Sequence, residues 1–208
     1  ISFYKIGLQL FTVAGPDAVR QIKSQGKRVF LDLKFHDIPN TVAGAVRSAA
    51  KLGVDLLTIH ASGGSAMMEA AVKAAQDSAA PRSDQTRILA VTVLTSMDAA
   101  SLRSINLALS PAEQVVSLAK LAHNAGCGGI VCSPKEITLV RAAIAPEMKI
   151  VVPGIRPPGS PADDQSRTAT PREAIARGAD YLVIGRPITA AADPRAAAQA
   201  IAHHLGPQ

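Results

Sequence analysis

Asp32, Lys34 and Asp37 place three charges at the end of an otherwise apolar run, Phe30-Leu31-Asp32-Leu33-Lys34-Phe35-His36-Asp37-Ile38-Pro39-Asn40-Thr41. Two positions apart, Asp32 and Lys34 leave the same face of an extended strand, while Leu31 and Leu33 leave the other. Ions turned into a fold are costly to desolvate unless they are paired and hydrogen-bonded, and such groupings concentrate where chemistry is done. The same spacing also fits a self-neutralising pair at a solvated strand end, and the three residues by themselves leave both readings open.

Other positions bear on the choice. Lys5, in Tyr4-Lys5-Ile6-Gly7, ends another apolar run and faces either the interior or solvent. His60, after Thr58-Ile59, is either a general base or a hydrogen-bonded structural histidine. Thr95 and Ser96 offer hydroxyl groups to a polar ring. Pro153-Gly154-Ile155-Arg156 and Gly185-Arg186-Pro187-Ile188 each combine a glycine, which lets backbone approach an anion, with an arginine whose planar fork matches phosphate oxygens. Gln165 sits in the Pro-rich stretch 157–166, a candidate lid over such a phosphate. Dinucleotide, Walker, nucleophile-elbow and metal-ligand signatures are missing. Any chemistry must come from Asp, Lys and positioning.

The elements that must hold these residues can be read from periodicity. Apolar or β-branched runs at Phe3 to Phe11, Arg28 to Phe35, Leu56 to Ala61, Ile88 to Leu94, Gly129 to Ser133, Lys149 to Ile155 and Tyr181 to Ile188 predict strands. Helices are predicted from Pro16 toward Lys23, from Asn40 toward Gly53, from Ser110 toward Gly126 and from Thr170 toward Gly178. Ser110-Pro111-Ala112-Glu113 and Thr170-Pro171-Arg172-Glu173 have the form of capping boxes with proline in the first turn. Strand and helix alternating along the chain predict a parallel sheet covered by helices. One helix-to-strand turn recurs before Leu56, before Gly129 and before Tyr181.

A (β/α)8 TIM barrel is the economical arrangement, and it places the working face at the C-terminal ends of the strands, with phosphate often bound after the last two. Seven strands are predicted where eight are wanted. The chain starts at Ile1 within a strand pattern, so the barrel reading expects the first strand and its helix upstream of residue 1.

Composition narrows the class. A chain of 208 residues, 48% of them hydrophobic, has material for one core, and a single domain over residues 1–208 is expected. No run is apolar for the roughly 18 residues that a bilayer requires, and no leader pattern is seen, so a cytoplasmic protein is expected. Cys127 and Cys132 read as buried free thiols. The net charge of +6 suits an anionic ligand, but the basic residues are scattered and only 3% of residues are aromatic, which favours a small anionic substrate over nucleic acid.

The run from Phe30 to Thr41 closely resembles the orotidine 5'-phosphate decarboxylases of bacterial type. So do Tyr4-Lys5-Ile6-Gly7, Val93-Leu94-Thr95-Ser96-Met97, Val152-Pro153-Gly154-Ile155-Arg156-Pro157, Asp164-Gln165 and Tyr181-Leu182-Val183-Ile184-Gly185-Arg186-Pro187, in the same order along nearly the whole chain. The D-x-K-x-x-D element alone is shared with metal-dependent sugar-phosphate decarboxylases and aldolases of the same barrel group, which form the alternative. The H-D-I-P-N-T extension and the Thr-Ser pair favour the nucleotide enzymes.

The resemblance implies decarboxylation of orotidine 5'-phosphate to UMP without metal or organic cofactor. It assigns Lys34 to protonation of C6, Asp32 to the neighbourhood of the substrate carboxylate, and Lys5 to the same charged array. It implies a homodimer in which Asp37 and Thr41 act across the interface. Thr95 and Ser96 would hold the pyrimidine, and Arg156, Gln165, Gly185 and Arg186 the phosphate, with Ile38 and Pro153 also lining the substrate. The family's Asp ending the first strand has no counterpart here, in keeping with a strand expected upstream.

Overall fold

The computed structural model describes residues 1–78, 85–157 and 168–205. Seven strands are found among them, at Phe3–Gly7 (β1), Arg28–Phe35 (β2), Leu56–His60 (β3), Arg87–Val91 (β4), Gly129–Val131 (β5), Lys149–Val152 (β6) and Tyr181–Leu182 (β7). They alternate with helices α1 (Leu8–Ala14), α2 (Pro16–Ser24), α3 (Pro39–Ala50), α4 (Ser65–Asp77), α5 (Ala99–Ser104), α6 (Pro111–Asn124), α7 (Ile137–Ala143), α8 (Pro171–Ala176), α9 (Arg186–Thr189) and α10 (Pro194–Leu205). The fold is therefore α/β. The pairings β1–β2, β2–β3, β3–β4 and β6–β7 are all parallel, as strands separated by helical crossovers must be.

The chain forms two compact units. The first comprises Ile1–Val91 with Leu118–Ile130, and the second comprises Thr92–Ser117 with Val131–Gln208. Strand order follows chain order within each. In the first unit β2 and β3 are buried on both faces: Val29, Leu31, Leu57 and Ile59 are closed to solvent, and Phe30 and Leu56 nearly so. Such strands read as continuous apolar runs because helices cover a parallel sheet. Helix α3 buries Val42, Val46 and Ala49, and α4 buries Met67, Met68, Ala71, Ala74 and Ala75, each a single helical stripe. In the second unit Ile137, Val140, Ile150, Val151, Val152 and Ile155 are buried.

Predicted ends are found where side chains enforce them. Ser110 and Glu113 bond reciprocally at the start of α6, and Thr170 and Glu173 form a complete capping box at α8. The recurring turn carries a glycine in the left-handed region each time, at Gly53, Gly126 and Gly178. In two copies an aspartate follows two residues later and clasps the preceding strand. Asp55 accepts from the Val29 N–H at 2.8 Å and pairs with Lys23 and Arg28. Asp180 accepts from the Ile150 N–H at 2.8 Å and pairs with Arg141 and Lys149. In the third copy Gly128 stands instead, packed under the Arg87 side chain, where a Cβ would collide.

Several predicted strands end earlier than expected, β4 at Val91 rather than Leu94 and β6 at Val152 rather than Ile155 among them, and two predictions run well into α-helix. The run from Phe3 to Phe11 becomes helical at Leu8, and the run from Tyr181 to Ile188 becomes helical at Arg186. Cys127 and Cys132 are both buried, and burial pushes the Cys127 thiol up to about 12, so it stays protonated and inert.

Candidate active site

The charged array lies in the first unit, at the C-terminal ends of β1, β2 and β3. Register explains how it forms. Gly7 of β1 stands opposite Asp32 of β2, and Lys5 opposite Phe30, so Lys5, Gly7 and Asp32 share one face. Because residue 7 has no side chain, the Lys5 chain can run along that face to Asp32; a Cβ on Gly7 would come within 2.9 Å of the Lys5 Nζ. Lys5 Nζ donates to Asp32 Oδ2 at 3.2 Å.

Lys34 reaches Asp32 by a different route from the one that extended geometry predicts. The β2–β3 register shifts between Leu31 and Phe35: Leu31 pairs with Leu57, but Phe35 already pairs with Ile59. Three residues, 32 to 34, therefore face Thr58 alone, and the bulge puts Lys34 at φ 51, in the left-handed region. The simple two-residue alternation ends there. Lys34 Nζ nevertheless donates to Asp32 Oδ1 at 2.8 Å. Thr58, wholly buried, closes the array: its hydroxyl donates to Asp32 Oδ1 at 2.9 Å and accepts from the Lys34 backbone N–H at 2.9 Å.

Asp32 thus sits between two ammonium groups and a hydroxyl, with its side chain 13% exposed. Burial pushes its carboxyl up, but the Lys5 and Lys34 charges and the bonds from Lys34 and Thr58 outweigh that, so the group lies below the ordinary carboxylate range and is ionised. His60, at the end of β3, faces the His36 ring with centroids 5.3 Å apart. Burial, His36 and Lys34 lower its pKa against the opposing pull of Asp32, which leaves it neutral near pH 7.

The remaining sequence candidates occupy strand ends or the stretches after them. Asp37 and Ile38 are exposed, the Asp37 carboxylate accepting from the Ile38 N–H at 2.7 Å, and Thr41 is exposed in the first turn of α3. In the second unit Thr95 is half-buried and Ser96 exposed beyond β4. Pro153 is half-buried and Arg156 buried beyond β6, with Arg156 donating to the Ile155 carbonyl. Gly154 is left-handed, at φ 75. Gly185 and Arg186 are exposed beyond β7, at the start of α9. Gln165 lies outside the described residues. Among the described residues, no group of three or more His, Cys, Asp or Glu side chains is arranged to hold a metal ion.

Thr58 is the residue that sequence reasoning missed. The available signal was a hydroxyl in the middle of Leu56-Leu57-Thr58-Ile59, a strand otherwise apolar up to His60.

Fold and array together define a parallel α/β protein with an ionised carboxylate clamped between two lysines at the C-terminal strand ends, the side on which proteins of this architecture carry their active sites. The model of the orotidine 5'-phosphate decarboxylase / HUMPS family matches residues 1–201. The orotidine 5'-phosphate decarboxylase of Moorella thermoacetica is 56% identical over 204 residues, 97% of this chain and 81% of that protein. The protein of the same name from Anaeromyxobacter sp. (strain K) is 55% identical over 99% of this chain and 87% of its own length. Among solved structures, orotidine 5'-phosphate decarboxylase from Lactobacillus acidophilus superposes with a TM-score of 0.86 at 41% identity, over 98% of this chain and 86% of that one. The chain belongs to the orotidine 5'-phosphate decarboxylase / HUMPS family.

Proposed function

We propose that this protein decarboxylates orotidine 5'-phosphate to UMP, the last step of de novo pyrimidine synthesis. The observation that carries the reading is Asp32 held ionised between Lys5 and Lys34 in a chain more than half identical to proteins of that name. Those relatives also disfavour the sugar-phosphate decarboxylase or aldolase alternative.

The array is suited to making a carbanion. With the substrate carboxylate set against Asp32, two like charges about 4 Å apart repel by roughly 4 kcal/mol at an effective dielectric near 20. Loss of carbon dioxide relieves that repulsion. The bond from C6 to the carboxylate breaks, its electron pair stays on C6, and the Lys34 ammonium donates a proton there and is reprotonated from water. Repulsion alone is too small, because enzymes lower barriers by about 8–23 kcal/mol. Most of the effect is assigned to stabilisation of the charge developing at C6 by Lys34, with Lys5 supporting the array.

The remaining assignments belong to the same reading. Thr95 and Ser96 hold the pyrimidine, Arg156, Gln165, Gly185 and Arg186 the phosphate, and Ile38 and Pro153 line the substrate. Binding energy from the phosphate, away from the reacting carbon, helps order the charged groups. Asp37 and Thr41 complete the partner's site in a homodimer, a role that their exposure permits. The ligand is a small molecule rather than nucleic acid, and no metal or organic cofactor takes part.

The seven strands belong to a single (β/α)8 barrel domain, a reading that their sequential order and parallel pairings support. Among the described residues no helix is long and apolar enough to cross a membrane, and a cytoplasmic location fits a biosynthetic enzyme. The test is carbon dioxide release from orotidylate by wild type and by Lys34→Ala, with and without EDTA. Chelator-insensitive release by wild type supports the reading. Release by Lys34→Ala at the wild-type rate, or loss of release on chelation, overturns it.

A further inference from the structure

Thr58 occupies a place that none of the assigned roles uses. It is the one polar side chain among the buried residues Leu56, Leu57 and Ile59, and it is closed to solvent. Its single hydroxyl makes two bonds, and both end on the charged array: it receives the Lys34 N–H and gives its proton to Asp32 Oδ1, each at 2.9 Å. Those bonds sit where β2 and β3 slip register and where Lys34 takes a left-handed backbone conformation that a lysine adopts only when its surroundings enforce it. The N–H that the bulge removes from the strand ladder is the one that Thr58 satisfies. The proton of the same hydroxyl then fixes which way the Asp32 carboxylate turns, leaving Oδ2 to Lys5.

We propose that Thr58 is a positioning residue for the decarboxylation: one buried hydroxyl sets both the backbone from which Lys34 projects and the orientation of Asp32. This rests on the functional reading above and extends it to a third strand. Thr58 touches no substrate and acts only through its two neighbours. Valine matches its shape without the hydroxyl, so Thr58→Val leaves the Lys34 N–H unsatisfied and Asp32 free to rotate.

The test compares Thr58→Val and Thr58→Ser with wild type on orotidylate, as kcat, KM and the pH profile of kcat. A misplacement of about 1 Å costs on the order of 10²-fold. Thr58→Val should therefore lose roughly that factor in kcat with KM changed by less than about 3-fold, and Thr58→Ser should recover most of the loss. The groups facing Asp32 are Lys5, Lys34 and Thr58, with His60 nearby. Removing the Thr58 bond to ionised Asp32 should move the acidic limb of the profile to higher pH, which lost packing alone does not do. If Thr58→Val does not fold, Thr58→Ala against Thr58→Ser makes the same comparison. Wild-type kcat without the hydroxyl, or an equal loss in the serine variant with an unmoved acidic limb, overturns the proposal. An inactive wild type would overturn the functional reading instead.

Discussion

Lys34 combines a functional side chain with an unfavourable backbone, and the two can be separated by substitution. At φ 51 a residue with a Cβ is strained by about 1–2 kcal/mol relative to glycine. Glycine gives back part of that advantage through the greater freedom of the unfolded chain, about 0.5–1 kcal/mol. Lys34→Gly and Lys34→Ala both remove the ammonium group and its 2.8 Å bond to Asp32, so that loss cancels between them. The remaining difference favours Lys34→Gly by about 1 kcal/mol. For a chain of this size each kcal/mol is worth about 2–4 °C in Tm, so Lys34→Gly should melt a few degrees above Lys34→Ala. Both should lose about 10²- to 10⁴-fold in decarboxylation, the usual contribution of a positioned proton donor. Thermal and urea unfolding of the two variants, alongside turnover of orotidylate, provide the assay. An alanine variant as stable as the glycine variant would refute the left-handed backbone at residue 34.

Three further predictions follow from the ionisation and packing of named groups. Asp32 has a lowered native pKa, so its contribution to stability is complete above the unfolded value of about 3.9 and is lost as pH falls through the lower native value; urea titrations below about pH 4 should show a shallower pH dependence in Asp32→Asn, and an unchanged slope would contradict the ionised, clamped carboxylate. His60 also has a lowered pKa, so the stability it confers is present above about 6.5 and declines as pH falls below that; its ring protons should titrate by NMR with a midpoint below 6.5, and a midpoint above 6.5 would show that Asp32 prevails over burial, His36 and Lys34. Asp180→Asn should loosen the clasp on Ile150, Arg141 and Lys149 and cost about 1–3 kcal/mol with kcat unchanged, because the clasp lies at the N-terminal end of β7, whereas the charged array is built at C-terminal strand ends. A loss of turnover without a loss of stability would contradict that placement.

Much of this was legible in the residues because it is local. The strand Arg28–Phe35 has both ends where the sequence predicts them, since charge and turn chemistry bound an apolar run. The capping boxes at Ser110 and Thr170 depend on side chains three residues apart, and both form. The overrun at Leu8–Ala14 has an equally local cause, because Ile6-Gly7-Leu8-Gln9-Leu10 alternates with the period of a strand although the chain turns helical at Leu8. The bulge at residues 32–34 was not legible, because it depends on what β3 presents opposite. The pairing of Asp32 and Lys34 was expected from their spacing, but the structure achieves it through Thr58 and a left-handed residue rather than simple alternation. Lys5 could not be placed from its own neighbours; the register that sets Gly7 against Asp32 decides it.

The most direct test of the central claim follows the proton. Orotidine 5'-phosphate incubated with the intact protein in D2O, after EDTA treatment, should release carbon dioxide and yield UMP carrying deuterium at C6, and Lys34→Ala should bring that release down by about 10²-fold or more while still binding UMP. No carbon dioxide from folded wild-type protein, or release at the wild-type rate from Lys34→Ala, would contradict it.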